Sequence, residues 1–307
     1  MGSAANLRPS EPTEQAVKPK LTLVPKSDVP GDERIGDLPI GAKHPRAFVG
    51  AAEGYDIMAA TQFSIMTLLG LRQDDYLLDI GCGSLRGGRL FIPYLQPERY
   101  HGIEPEAWLV EHGIENEVGR DLIEIKRPVF SDNNEFRLTI FDQQFDFLLA
   151  QSIFSHASRS QIASCLEEAR RVMAPGALFV ATFLRGEEDY TVGSWVYPGC
   201  VTYTLDTMRA LAKEQGLACR AIDWPHAAQQ TWLIFAHEEN AEQIPDLDDT
   251  TRILSMENDL RFAKARLAKL QNHPYVRLGM NVVSHPTIRA STRGDEPAAQ
   301  GVLARSR

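Results

Sequence analysis

Short apolar runs alternate with helical patterns along most of this chain, and that alternation limits its fold more than any other feature. The runs are Tyr76–Ile80, Tyr100–Ile103, Pro128–Phe130, Phe145–Ala150, Leu178–Phe183, Cys219–Ile222 and Thr231–Phe235. Each is too short for a buried helix and reads as a strand. Between them lie stretches with helical spacing. Gly54–Leu69 puts Met58, Ile65 and Leu69 on one face. Ser158–Met173 puts Ile162, Cys165, Leu166, Ala169, Val172 and Met173 on one stripe, and Leu205–Gln215 follows the fifth strand. Ser158 or Ser160 is a candidate cap for the second helix, and Pro175-Gly176 is its expected stop. The pattern predicts an α/β fold: a doubly wound, mostly parallel seven-stranded sheet. Its last two strands, separated only by a loop, predict a C-terminal antiparallel hairpin.

The ends of the chain read differently. Seven of the 18 prolines fall at or before Pro45, and large apolar residues there show no period. Such a segment cannot offset its ordering entropy by burial. Residues 1–43 are expected to be a disordered tail, 44–240 the folded domain, 241–275 a linker with an amphipathic helix, and 276–307 a second, mostly disordered tail. In the linker helix Ile253, Met256, Leu260, Ala263, Leu267 and Leu270 follow a 3-4-3-4-3 spacing. That is a heptad seam, suited either to homo-oligomer assembly through Ile253–Leu270 or to docking on the parent domain.

Composition narrows the function classes. The formal net charge is −9 over 307 residues. An acidic chain gains nothing from counterion release, so nucleic acid is not favoured as a partner. Cys82, Cys165, Cys200 and Cys219 form no CxxC pair and have no His at zinc-ligand spacing, so no metal site is expected. No stretch approaches the roughly 18 apolar residues of a membrane span. Reduced thiols and the lack of an apolar secretory core lead to an expected cytoplasmic location.

The chemistry concentrates where the first strand ends, in Leu78-Asp79-Ile80-Gly81-Cys82-Gly83-Ser84-Leu85-Arg86-Gly87-Gly88. Gly81 and Gly83 let the backbone turn tightly and approach a ligand. A dinucleotide fingerprint needs a third glycine where Arg86 stands, and a P-loop needs Lys-Ser/Thr where Arg89-Leu90 stand. Asp79 suits a ligand with ammonium or sulfonium charge better than one with phosphates. Glu104, closing the second strand, lies 21 residues beyond Gly83 and is placed to accept hydrogen bonds from ribose hydroxyls.

With these residues in order, the chain resembles the class I S-adenosylmethionine-dependent methyltransferases over roughly Tyr55 to His237. Asp79–Gly83 resembles that family's first motif, and Glu104 its ribose-binding acid. Ser131-Asp132-Asn133 falls where the residues beside the adenine usually stand. Phe145–Gln151 is similar to the fourth strand, and Arg171–Leu178 to the helix-to-strand turn that follows. The resemblance implies a Rossmann-like methyltransferase fold and S-adenosyl-L-methionine as cofactor. It implies contacts from Asp79, Gly81, Cys82, Gly83, Arg86, Glu104, Pro105, Asp132, Asn133, Gln151 and Ser152. Two positions depart from the pattern: Leu85 takes the place of a frequent third glycine, and Ala177 that of the second glycine in the later turn. Arg86 suits either the methionyl carboxylate or an anionic substrate.

Methyl transfer needs alignment more than a catalytic triad. His156, just past the fourth strand, is the leading candidate for a base. Tyr190 and Trp195, with Tyr197 and Tyr203, cluster after the fifth strand as a candidate lid or substrate wall. His226, in the loop between the closing strands, is a further substrate candidate. Tyr55 and Gln62 are placed to close over the methionine part of the cofactor. The expected acceptor is a small molecule, lipid or glycan. The alternative is a non-catalytic cofactor-binding or scaffold protein that assembles through its C-terminal helix.

Overall fold

A computed structural model describes residues 35–244, together with Leu260, Ala263, Lys264, Arg266 and Leu267. The described helices are α1 (Pro45–Phe48), α2 (Tyr55–Leu68), α3 (Gly88–Tyr94), α4 (Ala107–Gly113), α5 (Arg120–Lys126), α6 (Arg159–Val172) and α7 (Leu205–Glu214). The strands are β1 (Leu77–Ile80), β2 (Tyr100–Ile103), β3 (Val129–Ser131), β4 (Phe145–Ala150), β5 (Met173–Arg185), β6 (Thr202–Tyr203), β7 (Leu217–Ile222) and β8 (Thr231–His237). All seven expected strands form, in the order β3-β2-β1-β4-β5-β8-β7, and the short β6 pairs beside the far end of β5. The first five run parallel, while β8 is antiparallel to both β5 and β7.

Burial explains this layering. Every residue of β1 is buried, as a strand covered on both faces requires. Its side chains alternate between two cores. Leu78 and Ile80 pack with Phe179, Phe235 and the buried faces of α6 and α7. Leu77 packs with Val180, Trp232, Ile65 of α2 and Phe91 of α3. In α6 the stripe Ile162, Cys165, Leu166, Ala169 and Val172 is buried, and Ser158 with Gln161 forms a capping box.

The end of α6 differs from expectation. The helix stops at Val172, and Met173 already pairs with Phe145. Pro175 and Gly176 lie inside β5, where the register slips between the Phe145 and Phe147 pairs and Gly176 has φ +86°. The residue before a proline disfavours helix, so the Pro-Gly pair acts upstream of itself, as an extended bulge rather than a stop.

The order β2-β1-β4-β5 reverses direction between β1 and β4. That is the topological switch point, and ligands of open α/β sheets bind outside the strand carboxyl ends there. Most of the heptad seam lies outside the described residues. Of its members, Leu260, Ala263 and Leu267 are helical and exposed. Among the described residues no helix is long and apolar enough to cross a membrane.

Candidate functional site at the switch point

The turn after β1 is latched to the end of β2 by its own backbone. The Gly81 and Cys82 N–H groups both donate to the Ile103 carbonyl, at 2.8 and 3.0 Å. The Gly83 N–H donates to Glu104 Oε2 at 3.0 Å, and Glu106 N–H to Glu104 Oε1 at 2.9 Å. Gly81 and Gly83 sit at φ +75° and +56°, where side chains are strained. A Cβ on Gly81 would lie 2.1 Å from Ile153 Cδ1, and one on Gly83 would lie 2.7 Å from Val49 Cγ1. Both obstacles are side-chain tips, which can rotate away from a ligand pressed against bare backbone.

Two acids, Asp79 buried and Glu104 half-buried, define the charge of this edge. Burial pushes Glu104 up to about 7, against the pull of its two backbone N–H donors. Asp79 accepts from the Tyr100 hydroxyl at 2.8 Å, and burial pushes it up to about 6. Removal from water raises the proton affinity of both, while at Asp79 the Tyr100 hydroxyl and the Arg86 charge pull the other way. The Cys82 thiol is buried beside them and is likewise pushed up. Pro105 and Asp132 are exposed at the rim. Asn133 is held by its own loop: its side-chain N–H donates to Arg137 O at 2.7 Å, and its Oδ1 accepts from Glu135 N–H at 2.7 Å.

The third-glycine position is also left-handed. Leu85 has φ +59° and is fully buried. The turn therefore keeps its conformation without a glycine there, held by packing. Tyr55 is buried beside it: its hydroxyl contacts Ser84 O at 3.3 Å and Ser84 Oγ at 3.1 Å. The Tyr55 ring lies under Arg46 and Arg89, 4.7 and 5.1 Å from the guanidinium carbons. Tyr55 thus props the turn through Ser84.

Across the switch point, the carboxyl ends of β4, β5 and the β7–β8 loop carry a different set of groups. Gln151 Oε1 accepts from Gln62 Nε2 at 2.7 Å and from the Arg86 guanidinium. Its Nε2 faces Ser152 Oγ and, at 2.9 Å, His226 Nε2. Ser152 N–H donates to Thr182 Oγ1, which donates to Gln230 Oε1, both at 2.7 Å. Gln230 Nε2 donates on to Ser155 Oγ at 3.2 Å. Arg86 also donates to the Val49 carbonyl at 2.7 Å.

The two histidines on this side are held in opposite tautomers. His156 Nδ1 lies 2.6 Å from the Gly199 carbonyl, which can only accept, so Nδ1 carries the proton and Nε2 a lone pair. Burial keeps its pKa below the usual value. His226 Nδ1 accepts the N–H groups of Ala228 and Gln230 at 3.1 and 3.3 Å, so its proton sits on Nε2. Burial, then the nearby Arg86 charge, pushes His226 down to about 3. His156 has the form of a base and His226 that of a fixed donor.

A strap from Gly186 to Val201 folds over His156. The Val196 and Val201 N–H groups donate to the carbonyls of His156 and Ser155. The Tyr197 ring meets His156 edge-on at 4.9 Å, and Trp195 lies 5.7 Å away with 42% of its surface exposed. Tyr190 turns elsewhere, into a cavity of about 550 Å³ with Arg159, Leu211 and Glu214. Sequence reasoning assigned no role to Phe48, Val49, Ile153 or Trp108, and placed Tyr197 only within the aromatic cluster. Phe48 packs at 5.3 Å on both Trp108 and Tyr197, closing the crevice from the N-terminal side. The sequence signal for Phe48, Trp108 and Tyr197 is that aromatic residues recur in three segments far apart in the chain.

Sheet order, glycine turn and acid pair together define an α/β domain with a ligand edge at its switch point. Residues 78–179, about a third of the chain, match the family model described as "Methyltransferase domain". Solved structures are similar to the chain at low identity. The glycopeptide N-methyltransferase MtfA complexed with S-adenosyl-L-homocysteine is 12% identical, with TM-score 0.45, over 59% of this chain and 90% of that one. Magnesium protoporphyrin IX methyltransferase from Synechocystis PCC 6803 with bound SAM is 12% identical, with TM-score 0.45, over 59% and 81%. The CcbJ methyltransferase from Streptomyces caelestis is 14% identical, with TM-score 0.45, over 60% and 95%.

Proposed function

We propose that the protein transfers a methyl group from S-adenosyl-L-methionine to a small-molecule, lipid or glycan acceptor. One observation carries this reading: Glu104 receives the Gly83 N–H across a turn whose glycines are left-handed and bare. Such an edge offers backbone for close approach, Glu104 for ribose hydroxyls, and buried negative charge for a cationic ligand. Asp79, Gly81, Cys82, Gly83 and Glu104 would hold the cofactor, with Pro105, Asp132 and Asn133 at its adenosine end and Gln151 and Ser152 at its methionine end. When bound, the cofactor supplies an electrophilic methyl on a good leaving group.

The chain's own residues then have three tasks. Alignment of acceptor and methyl comes from the rigid ends of β1 and β4, and such alignment is worth on the order of 7–11 kcal/mol. Tyr197, Trp195 and Phe48 exclude water. His156 Nε2, neutral at pH 7 because burial lowers its pKa, takes a proton from a hydroxyl or amine acceptor. Calorimetry with S-adenosylmethionine and S-adenosylhomocysteine tests the reading. Both are expected to bind, and Glu104→Ala to weaken both. Absence of binding by folded protein would overturn it.

Exposed Leu260 and Leu267 in a helix favour a second role, assembly through the C-terminal helix. Deleting residues 249–307 should then lower the mass measured by light scattering, and an unchanged mass would count against assembly.

A further inference from the structure

We infer that Arg86, with the His226 Nε2–H beside it, is the docking site for an anionic group on the methyl acceptor, so that the acceptor is a small acid. The inference rests on the methyl-transfer reading above and goes on to the acceptor's class.

Arg86 is half-buried, yet among the described residues it makes no ion pair. It donates only to two neutral oxygens, Val49 O and Gln151 Oε1. Its Nε is buried with no acceptor at all. A buried cation normally has a carboxylate partner, because desolvating an unpaired charge is costly. Burial accordingly pulls Arg86 down to about 10.

The hydrogen bonds around it are mismatched as well. Gln151 Oε1 takes donors from both Arg86 and Gln62. The Gln151 amide nitrogen then meets the His226 Nε2–H at 2.9 Å, donor against donor. Turning that amide end for end satisfies His226 but presents an N–H to Arg86 instead. Gln62 Oε1 is buried without a donor, so the mismatch is one of placement: Arg86 Nε and the His226 Nε2–H face no acceptor where they stand. Tyr197, whose charge would couple to Arg86, adds a buried hydroxyl with no partner. A carboxylate or phosphate supplies the missing acceptors, and a guanidinium is suited to both.

Position assigns the anion to the acceptor. Asp79 and Glu104 give the β1–β2 edge its negative charge, which matches a cationic cofactor. Arg86 lies between the two sides: its charge couples to Asp79, its guanidinium donates to Gln151 after β4, and its charge is felt at His226 in the β7–β8 loop. His156 Nε2, the base, belongs to the Gln151 side. An acid anchored at Arg86 would thus be held near the proton acceptor.

Two measurements test this with the full chain. First, S-adenosylhomocysteine and 5′-methylthioadenosine, which lacks the amino-acid end, are titrated into wild type, Arg86→Met, Arg86→Lys and His226→Asn. The expected result is a Kd within about threefold of wild type for both ligands in every variant. Second, cell extract separated by anion exchange is methylated with labelled cofactor. Label should enter the anionic small-molecule fraction. With that fraction as substrate, Arg86→Met should raise KM about 100-fold, with Arg86→Lys and His226→Asn intermediate. Label confined to neutral or cationic fractions would overturn the proposal. Weakening of S-adenosylhomocysteine but not of 5′-methylthioadenosine in Arg86→Met would overturn it too, since the guanidinium would then serve the cofactor's carboxylate. Failure of wild type to bind either ligand would instead refute the methyl-transfer reading beneath it.

Discussion

The two halves of the switch-point crevice are built in opposite ways. The β1–β2 half is made from one stretch of chain and latched by backbone: Ile103 O and the Glu104 carboxylate receive three N–H groups of the glycine turn. The β4 half is made from side chains of five separate segments, represented by Gln62, Arg86, Gln151, Gln230 and the strap over His156. One half is acidic and conformationally fixed. The other is neutral apart from Arg86, and side-chain packing sets it. A half defined by backbone tolerates few substitutions, whereas a half defined by side chains can change its lining without changing its fold.

The sharpest way to break this contrast is Gly81→Val. A β-branched residue at φ +75°, with Ile153 Cδ1 2.1 Å from its Cβ, should weaken S-adenosylhomocysteine binding roughly 100-fold or more, as calorimetry would read. Next comes His156→Ala. It should lower kcat about 10²- to 10⁴-fold at neutral pH and leave cofactor affinity within twofold, because the imidazole touches only the strap. Comparable loss of cofactor affinity would show that the halves are not separable.

Glu104 gives a smaller effect that depends on pH. The folded chain holds this proton up to about 7, while an ordinary glutamate releases it near 4.5. Between those values the folded state binds more protons than the unfolded one, so stability of the ligand-free protein falls as pH rises through the window. Ribose hydroxyls need the ionised form, so cofactor affinity should move the other way, rising roughly tenfold from pH 6 to 8. Glu104→Gln should flatten both profiles. The smallest effect is expected from Trp195→Ala. Its ring is 42% exposed, and its loss should raise acceptor KM about two- to fivefold with kcat nearly unchanged. If neither parameter moves, the strap is not a substrate wall.

Legibility in the sequence follows the same division. The seven strands, both long helices and the glycine turn could be read because each is a local pattern: burial of an apolar run, a 3.6-residue stripe, an acid 21 residues from a glycine. The tautomers of His156 and His226 could not. They depend on the Gly199 carbonyl and the Ala228 and Gln230 amides, and those contacts exist only once loops have folded back. Val49 was invisible for the same reason, being a small apolar residue in a segment with no periodicity. Pro175-Gly176 was read as a helix stop because it ordinarily is one. Pairing of Met173 with Phe145 overrode it.

Val49 also links the two halves. Its side chain covers Gly83, and its carbonyl holds the Arg86 guanidinium at 2.7 Å. A molecule that settles against Gly83 turns the Val49 side chain aside, while the Val49 carbonyl keeps its hold on Arg86. One residue thus serves the two halves through different atoms, so a substitution at Val49 recuts the cover over Gly83 and leaves the anchor of the guanidinium in place.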